Sequence, residues 1–134
     1  MDTPIVLEGR IARGLSTYKH LVISYETHED KNDSYSKLEK AHARICKMLQ
    51  DDGTKTKKGL LIPFAQAKPL EVKVHAPYTE ETFVVKVSAG LANMIPDVGT
   101  FVRIYAKPRT YKFEKDKVLS IGWCLDLKRI QKTI

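Results

Sequence analysis

Eight alternate positions of one short stretch are each aromatic or cationic: Phe101, Arg103, Tyr105, Lys107, Arg109, Tyr111, Phe113 and Lys115. Lys112 adds a further cation among them. The intervening positions begin Val102, Ile104 and Ala106, an apolar half-pattern. Side chains of a strand alternate between its two faces, so this spacing predicts one oily face and one face of rings and positive charge. Aromatic rings are stacking platforms for bases, and Lys and Arg neutralise phosphates. The polymer that needs both chemistries a few ångströms apart is single-stranded nucleic acid.

Not every ring in the stretch reads the same way. Phe101 and Tyr105 are stacking platforms on one reading and, on the other, rings packed under a helix or at an interface. Tyr111 and Phe113 fall in an expected loop flanked by lysines, where stacking is favoured. Trp123 shares its alternating face with Leu119, Ile121, Leu125 and Leu127 and is expected in the core. Tyr18 and His20 point away from Leu21 and Ile23, either lining a groove or facing solvent. Lys73, His75 and Lys86 stand on outward strand faces and are phosphate contacts or a plain solvated surface. Lys55, Lys57 and Lys58 belong to a lysine-rich loop.

Catalytic and metal chemistry find little support. His20, His28, His42 and His75 show no ligand spacing with Cys46 and Cys124. His42 and Cys46 are one helical turn apart, but no third ligand is near in the sequence. The acidic run around Glu29, Asp30 and Asp33 lacks the glycine-turned array of a calcium loop. There is no glycine-rich phosphate cradle and no nucleophile elbow. The expectation is a non-catalytic protein without cofactor or metal.

These residues must be positioned by a small scaffold. The chain has 134 residues and a net charge of +7. Residues 101–134 carry nine Lys and Arg against Glu114, Asp116 and Asp126, so nearly all of the surplus lies in the last quarter. Such concentration points to a polyanionic partner. No apolar run reaches the roughly 20 residues of a membrane span. An acidic residue at position 2 and only two distant cysteines favour an intracellular setting, cytoplasm or nucleus, over secretion.

Strands are expected over residues 4–13, with Ile5, Leu7 and Ile11 inward and Gly9 at a bend, and over 18–25. Ser36 and Glu39 form a capping box that opens an amphipathic helix over about residues 36–50, with Leu38, Ala41, Ile45 and Leu49 on its apolar face. Asp51-Asp52-Gly53 is expected to stop it. Further strands follow at 60–64, 70–76, 82–88 and 100–107, with a helical turn near 89–95. The loop Arg109–Lys117 then leads to a last strand at 118–130. The fold class is therefore mostly β with one inserted helix, a single domain over residues 1–134. It reads as a five-stranded barrel of the oligonucleotide-binding (OB) type with an extra hairpin, the helix following the second strand. In such barrels the ligand crosses one face and meets two loops, here expected at Ala12–Thr17 and Arg109–Lys117.

The order of elements, with "Gly-Thr-Phe-Val-Arg-Ile-Tyr-Ala-Lys-Pro" and a final "Ser-Ile-Gly-Trp-Cys-Leu-Asp-Leu-Lys-Arg-Ile", resembles the single-stranded DNA-binding proteins of short-tailed bacteriophages and related viruses. Gly99, Val102, Ile104, Lys107, Pro108 and Tyr111 fall on that family's late-strand pattern. The likeness covers most of the chain as architecture and residues 99–130 as sequence. It implies sequence-tolerant binding of single-stranded DNA in replication or recombination. Candidate partners are single-stranded DNA (or RNA), a second copy of the chain and replication proteins. The family's acidic tail has no counterpart in the basic ending Leu127-Lys-Arg-Ile-Gln-Lys-Thr-Ile134, so recruitment through a tail is not implied. A scaffold subunit using the same rings as a protein contact is the competing expectation.

Overall fold

The computed structural model describes residues 3–27, 33–55, 74–115 and 118–133, with backbone alone for 49–55, 112–115 and 118–120. Alternation is what builds it. Leu7, Ile11, Leu21, Ile23, Phe83, Val85, Val102, Ile104 and Ala106 are all buried, each on the inward side of its strand. Polar and aromatic residues take the outward side, as a half-buried antiparallel sheet requires.

The described residues form six strands: β1 (Ile5–Arg13), β2 (His20–Ser24), β3 (Val74–His75), β4 (Thr82–Lys86), β5 (Phe101–Lys115) and β6 (Val118–Lys132). Five of them close a ring. β1 pairs antiparallel with β2 and with β5, β2 with β4, and β5 with β6, while β4 meets β6 in parallel. Two-residue β3 adds in parallel to β6 through Val74 and His75. This is the closed Greek-key arrangement of an OB-type barrel, with one helix between β2 and β3.

The helix, α1, runs Ser34–Lys55, beginning earlier and ending later than the sequence suggests. Ser36 lies inside it. The start is fixed at Ser34, whose buried hydroxyl accepts a hydrogen bond from the Glu8 N–H (2.8 Å) and donates to the Glu8 carbonyl (3.2 Å). The Asp33 carbonyl accepts the first helical bond from the Lys37 N–H. Gly53 weakens a helix by about 1 kcal/mol relative to alanine, but that does not end it here. Leu38, Ala41 and Ile45 enter the barrel core as expected. Lys37 is half-buried and donates to the Val6 carbonyl at 2.9 Å.

Two further expectations change. Of the expected loop Arg109–Lys117, residues 109–115 are strand instead: β5 continues to Lys115 and β6 starts at Val118, with Lys115 opposite Val118. The barrel therefore carries a long two-stranded hairpin. Tyr18 is not in β2 but in the β1–β2 turn. That turn is held by Ser16 N–H to the His20 carbonyl and Lys19 N–H to the Ser16 carbonyl, with Lys19 in the left-handed region at φ 62°. The expected strand 60–64 and residues 70–73, Lys73 among them, lie outside the described residues, as do Lys57 and Lys58. The expected helical turn is a short 3-10 helix at Ala92–Met94.

Candidate nucleic-acid interface

Cross-strand register, not sequence proximity, assembles the site. His20, the first residue of β2, stands opposite Lys86, the last of β4. Lys86 pairs in turn with Asp126 of β6, and Asp126 with Lys107 of β5. Directly paired residues share a sheet face. One outward row therefore crosses four strands as His20, Lys86, Asp126 and Lys107. The hairpin adds the next two pairs, Arg109 with Cys124 and Tyr111 with Gly122.

Of these, His20, Lys86, Arg109, Tyr111 and Cys124 line an open depression of about 400 Å³. Its rim carries His20, Lys86, Arg109 and Tyr111, and its floor is largely apolar, formed by Ala76, Pro77, Val84, Trp123, Cys124 and Leu125. A second depression of about 400 Å³ adjoins it, sharing Lys86 and Arg109 and extending over Ser88, Leu91, Asp126 and Lys128. Together they make a groove with a ring at one end and cations along its middle.

Tyr111 owes its posture to the residue opposite. A methyl group at Gly122 would run into the Tyr111 ring and lie 2.8 Å from the His75 carbonyl. Glycine leaves room for the hydroxyl end of the phenol over β6. Trp123 is 1% exposed, in the core as the alternation predicts, and its indole N–H donates to His42 Nδ1 at 3.0 Å. The two rings are stacked, with centroids 6.2 Å apart. With Nδ1 accepting, the proton sits on Nε2, which faces Cys46 Sγ at 3.6 Å. Burial holds the His42 imidazole below its ordinary pKa, in keeping with this neutral form. The pair that the sequence places one turn apart thus meets, as part of the packing under the groove. Among the described residues no three His, Cys, Asp or Glu side chains are grouped to hold a metal ion.

Arg109 is not loose. Its Nε donates to Asp126 Oδ2 at 2.7 Å and its Nη2 to Oδ1 at 3.3 Å, a two-pronged ion pair. That hydrogen bonding raises the guanidinium pKa further. Burial pushes the neighbouring Cys124 thiol up, with Arg109 pulling the other way.

The remaining residues of the alternating stretch are placed elsewhere. Arg103 is paired with Glu8 of β1, with Nη2 to Oε1 at 2.9 Å. Arg10 lies over the Phe101 ring at 6.0 Å, and Arg129 over the Tyr105 ring at 5.5 Å. Gln131 Nε2 donates to the Tyr105 hydroxyl at 3.5 Å. The single wall from Phe101 to Phe113 expected from alternation is therefore divided. Up to Ala106 the strand is flanked by β1, and its outward side chains there are engaged by Arg10 and Glu8 of β1 and by Arg129 and Gln131 of β6. Beyond Ala106, β1 no longer pairs with β5, and Arg109 and Tyr111 turn to the depression beside β4.

Of the sequence-predicted residues, His20, Lys86, Arg109 and Tyr111 are brought together on the depression, and Lys107 shares the cross-strand row of His20 and Lys86. Tyr18 is 78% exposed at the tip of the β1–β2 turn. The side chains of Lys112, Phe113 and Lys115 lie outside the described ones. Sequence reasoning missed Asp126, Cys124 and Gly122 as groove residues. Their signal was present in the alternation of β6, which puts them on the face opposite Ile121, Trp123 and Leu125.

No family model matches the chain, and no curated protein matches it in sequence. Among solved structures it is similar to the mitochondrial single-stranded DNA-binding protein Rim1 of S. cerevisiae, with 12% identity and a TM-score of 0.44 over 98% of this chain and 92% of that one. The selenomethionine-labelled form of Rim1 gives 12% identity and a TM-score of 0.42 over 99% and 97%.

Proposed function

We propose that this protein binds single-stranded DNA without sequence preference and without catalysis. The observation that carries this reading is the convergence of His20, Lys86, Arg109 and Tyr111 on one apolar-floored depression, from three strands, β2, β4 and β5, spread over the chain. The site lies between the β1–β2 turn and the β5–β6 hairpin, across β2 and β4. In OB-type barrels that face and those two connections take oligonucleotides or oligosaccharides. An aromatic ring beside cations suits a base and its phosphate, and an uncharged sugar chain has no use for the cations. Inside the cell, the strand so covered is one exposed in replication or recombination, and the viral setting implied by the sequence resemblance belongs to this same reading. The arginine lids over Phe101 and Tyr105 argue against those rings as a scaffold contact.

Titration of a fluorescent oligothymidylate across salt concentrations tests the proposal. Saturable binding whose log affinity falls by about 0.7 per phosphate neutralised, per decade of salt, is expected. Equal lengths of RNA and duplex DNA as competitors define the preference. Tight binding to duplex with none to single strands, or salt-indifferent binding of an oligosaccharide, overturns it.

A further inference from the structure

Asp126 is the one acidic side chain among the described residues that line the two depressions. It stands where cations gather. Lys86 and Lys107 are its register partners on either side, Arg109 grips it with two nitrogens, and Lys128 lies two residues along the groove. A carboxylate with two oxygens on a guanidinium fork reproduces how a phosphate binds arginine. Only part of Asp126 is exposed, with 24% of its side-chain surface accessible, so the pair sits in the groove wall rather than on a free rim.

Building on the nucleic-acid reading above, we infer that the Asp126 carboxylate occupies the place of a backbone phosphate on Arg109 and is exchanged for that phosphate when a strand binds. Asp126 is thereby a resident competitor that sets the affinity of the groove. In the free protein it neutralises the central cation. On binding, Arg109 transfers its two N–H donors to a phosphate, and the carboxylate is left beside Lys86 and Lys107, which keep it compensated. The groove then discriminates between anions: a single small anion has to displace an intramolecular partner unaided. A polymer brings neighbouring contacts that make the exchange favourable.

The test compares wild type, Asp126→Asn and the double variant Arg109→Gln/Asp126→Asn, each titrated with oligothymidylate across salt. Asp126→Asn is expected to bind roughly fivefold more tightly at about 0.1 M salt, with a salt slope steeper by about 0.7, because the wild-type protein keeps a carboxylate in the groove whose charge offsets one phosphate contact on a single strand. The gain must shrink towards nothing when Arg109 is absent. Weaker binding by Asp126→Asn means that the carboxylate only orients Arg109, and the inference falls. Unchanged affinity and slope, or a gain that persists undiminished without Arg109, also overturns it. Asp126→Ser removes the same charge should the amide not be accommodated. In the unsubstituted protein the Arg109 Nε–H resonance must shift when the oligonucleotide is added, and an unmoved signal counts against exchange. Wild type that binds no oligothymidylate sinks the proposed function itself. Wild type that binds while Asp126→Asn gains nothing sinks only the exchange.

Discussion

Tyr111 and Phe101 stand ten residues apart on the outward side of the same strand, yet their surroundings assign them different work. Phe101 is half-buried beneath the Arg10 guanidinium, which is itself held by Glu26 at 3.2 Å. Tyr111 lies across Gly122 at the edge of an apolar-floored depression. Tyr111→Ala is therefore expected to weaken oligothymidylate binding by about 1–3 kcal/mol, the usual loss for a stacking platform. Phe101→Ala removes a cation–π contact worth about 0.5–1 kcal/mol from stability and leaves binding nearly unchanged. Fluorescence titration paired with thermal melts of both variants checks the contrast. Alternation could place both rings outward, but it could not tell them apart. What separates them is which strand lies alongside, and that is decided by residues nearly a hundred positions away.

At the scale of elements, the close approach of β1 to β2 depends on Gly9. A methyl group there would meet the Ser24 carbonyl oxygen and lie 2.6 Å from the Ile23 side chain. Gly9→Ala is expected to destabilise the barrel by about 1–3 kcal/mol, measured as a lower urea midpoint, because the obstacle is backbone and cannot rotate away. The sequence marks Gly9 as unusual, and the structure shows that the cause is strand contact. Most strands were legible because their apolar period is strict, as in Val102, Ile104 and Ala106. The β5–β6 hairpin was not. Pro108 and a run of charges and rings demote a strand reading by the ordinary rules. Proline is tolerated there because β5 has lost β1 as a neighbour and pairs only with β6, so one edge asks for no ladder donor. The first turn of α1 escaped notice for a similar reason: Ser34 is fixed by a contact with β1, not by a local capping pattern.

For the whole molecule, the basic surplus of the last quarter of the chain is distributed over two sides of the barrel, and the sequence alone merged them. Arg103 is spent on Glu8, whereas Arg109 and Lys128 line the groove beside Lys86 of β4. Below the groove, packing links the site to global stability through His42, which receives the Trp123 N–H. Its imidazole titrates below its ordinary value of 6.5 because burial disfavours the charged form. As pH falls, the unfolded chain takes up this proton first. The contribution is thus fully present above that ordinary value and is lost as pH drops through the lower folded one. Urea unfolding at about pH 8 and about pH 5 is expected to show acid destabilisation that is smaller in His42→Gln.

The ring of strands is closed between β4 and β6 by a single described register pair, Lys86 with Asp126, and this seam runs along the bed of the groove. Any polyanion lying there touches both banks and rivets them, so occupancy and barrel closure are one linked equilibrium. The guest becomes part of the wall.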